Sequence, residues 1–243
     1  MNSNRESGIR EGYQPAYAEG ETFLDTVRFL RCDKTQLIYK INDRDIQRVQ
    51  KTIEEAKWAA DEVIVSIHSH QQVEGTKEAV PDFLKEFAHF CIDTGANAVI
   101  GHGPHLLRGI EVYKDCPVFY SLGDFVLQLY DLEFVPAEMF EKHKIPQDKS
   151  IYEFLKTRSK DFTVGLMELS KMSESVIPYW ETENGKLKYL ELLPIKLCMK
   201  GNKSDNGLPF VAEDDSFMER LKHLSKPFGV DIVKEDNKYI CKW

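Results

Sequence analysis

The first half of the chain alternates amphipathic and fully apolar segments. Residues 43–60 place Ile and Val at helical spacing after Asn42 or Asp43, which predicts a capped helix. The β-branched run at 63–67 is apolar on both faces, which is typical of a central parallel strand. A second helix is predicted over 81–94 and a second buried strand over 98–100. Together these segments predict a βαβ unit with a right-handed crossover.

The remainder of the chain favours antiparallel structure. Residues 131–160 are helical in pattern with proline breaks, and Asn184-Gly185 is typical of a hairpin turn. We predict strands over 110–113, 117–122, 162–170, 174–181, 186–195, 230–233 and 239–241, and a helix over 214–226. Residues 1–20 are interpreted as an irregular lead-in and residues 21–243 as one domain, without internal repeats.

The composition indicates a soluble globular protein and argues against several other classes of protein. Hydrophobic residues make up 42% and charged residues 30% of the 243, which is typical of a soluble globular protein. The net charge of −8 argues against nucleic-acid binding, and the densest basic stretch, 196–203, is interpreted as a solvated loop. Five widely spaced cysteines favour neither a disulfide framework nor a cysteine zinc site. With no signal peptide and no transmembrane stretch in the sequence, a cytoplasmic location is expected.

Histidines cluster where the predicted strands end. Five of the seven lie between residues 68 and 105, and four of these follow predicted strands: His68 and His70 follow the first strand, and His102 and His105 follow the second. Asp124 follows the strand predicted at 117–122. Because parallel strands bring their carboxyl ends to one sheet edge, we expect His68 and His102 to lie close together. The pattern favours either a metal site or an anion site at this edge.

The chemistry of these side chains suits a divalent ion. Neutral imidazole binds zinc, iron and manganese, and glycines beside His102 permit a sharp turn that Pro104 stiffens. His70 is interpreted as lining the entrance, and Arg108 as either an anion contact or a solvent-facing side chain. The remaining histidines stand alone, and motifs for a nucleophile elbow, a Walker A loop or an HExxH zinc site are absent from the sequence.

The same segments carry a family resemblance. The matching stretches are VIVSIH at 63–68, FAH at 87–89, IDTGANAVIGHGPH at 92–105, GIEVY at 109–113 and PVFYSLGDF at 117–125. They resemble the capsule-synthesis CapA family, the poly-γ-glutamate biosynthesis proteins, which are similar in fold to calcineurin-like metallophosphoesterases. The core of the resemblance covers about residues 61–128, and the strand-rich remainder is similar to the family's C-terminal portion.

The resemblance implies a fold and a metal centre. The fold class is α/β: the C-terminal part of an α/β/β/α sandwich, with a mixed sheet and antiparallel C-terminal strands. His68, His102 and His105 match metal-binding positions for Mn, Fe or Zn, and His105 could instead act as the acid. Asp124 falls where the family usually has Asn and is counted with the metal ligands. The early Gly-Asp strand and the Asn-Asn-His segment of the family do not occur in residues 1–60, so a partial site is expected.

The resemblance also frames the functional hypotheses. The first is a capsule-linked protein that hydrolyses a phosphoester or related acyl bond, with an anionic polymer or a phosphoester as its substrate and with cell-envelope association. The second is a non-enzymatic remnant or accessory domain. The third is an assembly partner that forms a homo-oligomer or pairs with a complementing N-terminal half through an exposed sheet edge.

Overall fold

The computed structural model describes residues 20–24, 27–31, 33, 39–73, 75–128, 132–160, 170–199 and 204–243. The chain divides into two compact units, residues 1–38 and 39–243. Nearly all of the predicted lead-in at 1–20 lies outside the described residues, and the domain assignment to 21–243 stays a prediction.

The first unit contains one antiparallel hairpin. Its strands are β1 (Glu21–Leu24) and β2 (Val27–Leu30), paired in register from Glu21 with Leu30 to Leu24 with Val27. The apolar residues of segment 21–41 are compatible with one or two short strands, and two are present.

The second unit begins with the βαβ segment. Its elements are α1 (Asp43–Ala59), β3 (Ile64–His68), α2 (Asp82–Thr94) and β4 (Ala98–His102). The Asn42 side chain accepts a hydrogen bond from the Arg44 N–H at the start of α1, and α2 ends at Gly95 in a left-handed conformation. These helices and strands confirm the periodicity-based predictions.

A four-stranded sheet forms around this segment, in the order β3-β4-β6-β5. β5 (Ile110–Tyr113) and β6 (Cys116–Phe119) form a hairpin, and β6 runs parallel to β4. The prediction of a central first strand was wrong, because β3 pairs only with β4 among the described residues and leaves Ile64 51% exposed. A short apolar run is compatible with an edge position as well as a central one.

A second, antiparallel sheet follows. It contains β7 (Glu174–Glu183), β8 (Lys186–Leu197), β10 (Asp231–Glu235) and β11 (Lys238–Lys242) in the order β10-β11-β8-β7, with β9 (Pro209–Val211) added on β8. The Asn184-Gly185 turn joins β7 to β8 as predicted. The sequence missed β9, and α5 (Met218–Ser225) begins four residues after the predicted helix start at 214. The strand predicted at 162–170 falls almost entirely outside the described residues.

Two apolar clusters sandwich the four-stranded sheet. Adjacent residues of β6 show the arrangement: Phe119 packs with Leu190 of the second sheet and Leu221 of α5, whereas Val118 packs with the helical layer. Successive side chains of a strand point to opposite faces of the sheet. Val118 and Phe119 are both fully buried because an apolar cluster covers each face. The packing confirms an α/β sandwich with a mixed sheet and an antiparallel sheet.

Two short helices form a separate hairpin. α3 (Ala137–His143) and α4 (Ile151–Arg158) bury their own small cluster, in which the rings of Phe140 and Phe154 lie 4.7 Å apart. Ser150 caps α4 through a reciprocal capping box with Glu153. This segment confirms the prediction of broken helical structure over 131–160.

Among the described residues, no helix combines the length and apolar character that crossing a bilayer requires.

Candidate metal centre

The register of the parallel strands brings the first two predicted histidines together. β3 and β4 pair with His68 directly opposite His102, at the carboxyl end of both strands. The Ser69 N–H continues the ladder by donating to the His102 carbonyl at 2.8 Å. The expectation that His68 and His102 share one sheet edge is therefore confirmed.

A glycine permits the close approach of the loops that follow. Gly103 has φ +124°, and a Cβ at this position would lie 2.6 Å from the Ser69 carbonyl oxygen. No side chain fits this space without moving the backbone, and the left-handed φ disfavours any L-residue. Gly103 thus allows the loop after β4 to lie directly on the loop after β3.

His70 lies inside the cluster, which the sequence interpretation missed. Its Nε2 is 2.9 Å from Nε2 of His68, and its ring centroid is 5.4 Å from that of His105. The signal was present in the spacing, since residues two apart in extended backbone project to the same side. His70 therefore lies between His68 and His105.

His105 and Asp124 form a pair within the cluster. Nδ1 of His105 lies 3.0 Å from both carboxylate oxygens of Asp124, and both side chains are more than two-thirds buried. The two segments are held by an isolated bridge between Leu107 and Leu122 and by the Ser121 hydroxyl, which donates to the Leu106 carbonyl at 2.7 Å. The backbone contacts therefore fix where Asp124 meets His105.

Arg108 is fully buried and anchors the loop that carries His70. Its Nε donates to the Lys77 carbonyl at 2.8 Å, and its Nη2 donates to the Gln71 carbonyl at 2.7 Å. Burial lowers the pKa of Arg108 to about 10, so the guanidinium stays charged at neutral pH. The solvent-facing interpretation was wrong, since Arg108 is fully buried, and the anion contact stays a prediction. The sequence did not indicate the role as a loop anchor.

The environment of two of the histidines favours the neutral form by lowering their pKa values. Desolvation and the neighbouring His68 lower the pKa of His102, while Asp124 opposes the shift. The pKa of His70 is lowered by desolvation, followed by electrostatic interaction with His68, His105, Lys77 and Arg108. Neutral imidazole is the form that donates a lone pair to a metal ion.

The donor chemistry of the cluster fits a divalent transition metal, since imidazole nitrogens predominate. His68, His70, His102 and His105 are the side chains that could hold it. As the rings stand, however, the part of the chain that the structure describes contains no three His, Cys, Asp or Glu side chains arranged to hold one ion.

The histidines outside the cluster have structural surroundings. Nε2 of His89 lies 3.0 Å from Glu111, which also accepts a hydrogen bond from the Tyr120 hydroxyl. The His89 ring stacks on Tyr113 with centroids 3.8 Å apart, and His143 packs edge-on against Phe154. His89 and His143 therefore tie α2 to the sheet and α3 to α4.

Known proteins place the chain in a family. The model of the family described as bacterial capsule synthesis protein PGA_cap matches residues 8–129. The chain is 35% identical over 210 residues to a Sinorhizobium fredii protein named uncharacterized protein y4sH, a match that covers 82% of this chain and 45% of that protein. It is 32% identical over 149 residues to the PGA biosynthesis protein CapA of Bacillus subtilis, covering 56% of this chain and 38% of the relative.

The matched segment contains β3, β4 and all the clustered histidines. The chain spans less than half the length of these relatives. The match over half of the chain shows that this protein belongs to the bacterial capsule synthesis family of CapA-like proteins.

Proposed function

We propose that the histidine cluster at the strand ends binds a divalent metal ion and supports hydrolysis of a phosphoester or a related acyl bond. The observation that carries this proposal is the convergence of His68, His70 and His105, with Nε2 of His68 and Nε2 of His70 2.9 Å apart. His68 is the last residue of β3, His70 follows it, and His105 follows the end of β4. Imidazole nitrogens that converge from two strand ends are a donor set suited to Mn, Fe or Zn.

The pairing of His105 with Asp124 supports the assignment. A carboxylate that accepts the Nδ1–H of a histidine fixes the tautomer and leaves Nε2 with its lone pair available. In this proposal Asp124 acts on His105 from behind and is not itself a metal ligand. His105 then either donates Nε2 to the ion or carries a proton to the leaving group.

A bound ion would supply hydroxide near neutral pH and polarise the oxygen of the scissile bond. The chain's own residues position that chemistry: Gly103 keeps the two histidine-bearing loops in contact, and Arg108 fixes the loop that presents His70. The Arg108 backbone N–H also donates to the Ser121 carbonyl at 3.1 Å, which ties this loop to the segment that follows β6.

The biological setting follows from the relatives. A similar protein of Bacillus subtilis is named for PGA biosynthesis, and the family model is named for capsule synthesis. We therefore place the proposed hydrolysis in the synthesis or processing of an anionic capsule polymer, with the protein associated with the cell envelope.

Metal analysis tests the site directly. Protein purified without chelator and loaded with Mn or Zn is compared with a His68→Ala/His102→Ala variant and with a His143→Ala/His223→Ala control of equal histidine content. We expect the first variant to lose bound metal and the control to retain it. Equal metal content in both variants would falsify the proposal.

Turnover tests the chemistry separately. An aryl phosphate with added Mn should be hydrolysed by the protein and by the His143→Ala/His223→Ala control, but not by the His68→Ala/His102→Ala variant. If the protein binds metal but hydrolyses neither the aryl phosphate nor capsule polymer, the metal site is supported and the proposed hydrolase activity is contradicted.

A second candidate function is non-catalytic assembly. It is favoured by the edge strand β3, whose outward residue Ile64 is 51% exposed and whose five residues contain no lysine or proline that would block strand addition. Size-exclusion chromatography at several protein concentrations tests this candidate. A monomer at every concentration would contradict self-assembly through β3.

A further inference from the structure

Four charged side chains from distant parts of the chain meet beside the loop that carries His70. Arg220 of α5 lies between two carboxylates: its Nη1 donates to Glu78 at 2.5 Å, and its Nη2 donates to Glu174. Lys171 donates to both carboxylate oxygens of Glu78 at 3.0 Å. We call these four residues the Arg220 cluster. Its two positive and two negative charges balance, so its evident effect is to join the segments that carry them.

The Arg220 cluster is largely shielded from water. The side chains of Arg220, Glu78 and Glu174 are 20%, 21% and 11% exposed. Burial acts to raise the pKa of Glu78, but the hydrogen bonds from Arg220 and Lys171 outweigh it and lower this pKa, so the carboxylate is charged at neutral pH. A shielded carboxylate that is left without its cation is strongly unfavourable. The cluster therefore holds its members in one arrangement.

The helix that carries Arg220 is firmly packed. Met218 and Leu221, on either side of Arg220 along α5, are at most 1% exposed and belong to the apolar cluster that joins the two sheets. The Ser225 hydroxyl accepts a hydrogen bond from the Ile110 N–H at 3.0 Å, where β5 begins. Arg220 is therefore a fixed point against which the loop at 71–78 is held.

Arg108 connects Glu78 to His70. Its guanidinium donates to the carbonyls of Gln71 and Lys77. Gln71 directly follows His70 in the chain. Lys77 directly precedes Glu78. Because both ends of the loop meet at one planar, buried group, a displacement of Glu78 is transmitted to His70.

Glu174 also contacts the segment that carries Asp124. A Cβ at Gly123, which has φ +75°, would lie 2.9 Å from the Glu174 carbonyl oxygen, so a side chain does not fit there unless the backbone moves. The next residue of β7, Ser175, donates its hydroxyl to the Leu122 carbonyl at 2.5 Å. The first two residues of β7 thus contact the backbone one and two residues before Asp124.

We propose that Arg220 is a positioning residue for the histidine cluster. It joins the loop that carries His70 to the start of β7, and β7 contacts the segment in which Asp124 pairs with His105. The separation of the His70 and His105 rings, 5.4 Å between centroids, then depends on the two ion pairs that Arg220 makes.

This inference deepens the proposed function, because its consequence for metal binding rests on the metal site. The position of the His70 ring, however, can be measured in protein that contains no metal. The two proposals can therefore fail separately: absence of metal binding contradicts the metal site, whereas a His70 ring that stays in place without Arg220 contradicts the positioning role.

Histidine-selective NMR of the metal-free protein tests the positioning role. His70→Gln and His105→Gln assign the signals of the two rings, and the nuclear Overhauser cross-peak between their ring protons reports their separation. The rings of His89 and His143 lie outside the histidine cluster and provide internal references.

Two variants interrupt the connection at different residues. Arg220→Met removes the central cation. Glu78→Met removes only the carboxylate of the loop and leaves Arg220 paired with Glu174, so it decides the question if Arg220→Met does not fold. Arg48→Met is the matched control, because the ion pair of Arg48 with Asp45 is exposed on α1.

We expect both cluster variants to lose the cross-peak between His70 and His105 and to shift the His70 signals, while the signals of His89 and His143 stay in place. Arg48→Met should keep the cross-peak. An unchanged cross-peak in the folded cluster variants overturns the proposal. Equal shifts of all the histidine signals also overturn it, because they would indicate general loosening of the fold.

Zn affinity provides the second readout. Isothermal titration should show binding about tenfold weaker in Arg220→Met and within about twofold of the unaltered protein in Arg48→Met. If the unaltered protein binds Zn and Arg220→Met binds it equally well, Arg220 does not act on the metal site and the proposal is overturned.

Discussion

Asp124 meets His105 with both carboxylate oxygens 3.0 Å from Nδ1, and that contact sets the direction in which the imidazole presents its other nitrogen. The carboxylate stands two residues after the isolated bridge that joins Leu107 to Leu122. Backbone pairing therefore sets the position of the Asp124 carboxylate, and the carboxylate in turn orients Nε2 of His105.

Removal of the carboxylate should weaken metal binding. We expect Asp124→Ala to reduce Mn or Zn affinity by about 10- to 100-fold, because His105 loses the partner that fixes its tautomer. Asp124→Asn should keep most of the affinity, since its amide oxygen still accepts the Nδ1–H. Isothermal titration measures both, with the exposed Asp148→Ala as control. Unchanged affinity in Asp124→Ala would show that Asp124 does not act through His105.

A methyl group at residue 103 should separate the histidine-bearing loops. We expect Gly103→Ala to lower the free energy of unfolding by about 2 kcal/mol or more, since the new Cβ meets the Ser69 carbonyl. Urea denaturation measures the change. Gly185→Ala is the matched control, because Gly185 has φ +73° with open space around it. Equal losses in the two variants would assign the effect to φ strain and not to loop contact.

Arg108 should stabilise the loop at 71–77 and, through it, the position of His70. We expect Arg108→Met to cost about 3 kcal/mol, because it leaves the carbonyls of Gln71 and Lys77 without their charged donor. Hydrogen exchange should rise in this loop first. The exposed Arg48→Met provides the control, and exchange that rises evenly over the whole protein would contradict a local anchoring role.

The buried hydrogen bond from Tyr120 to Glu111 should make the free energy of unfolding depend on pH under alkaline conditions. Burial, then Glu111, raises the pKa of Tyr120 above its ordinary value of 10.0. The folded state therefore keeps the proton that the unfolded chain releases above pH 10, so this group's contribution to stability declines as pH rises beyond that point. Near pH 7, Tyr120→Phe should cost about 1–3 kcal/mol.

The pH dependence of the same variant supplies the check. Tyr120→Phe should lose less stability than the unaltered protein between about pH 10 and pH 11. Tyr39→Phe, at an exposed residue, serves as the control. Parallel pH profiles for the protein and Tyr120→Phe would contradict the assignment.

The sequence determined most of the local structure and half of the site. Helix caps, the Asn184-Gly185 turn and the β-branched runs located the elements, since each is a short-range preference of the backbone. The pairing of His68 with His102 also followed from sequence, because parallel strands align their carboxyl ends.

Only the tertiary structure decided the remainder. It put β3 at a sheet edge, placed Asp124 behind His105, brought His70 into the cluster and buried Arg108 as a loop anchor. These outcomes depend on contacts between residues far apart in the chain, and hydrophobic periodicity carries no information on which loops meet.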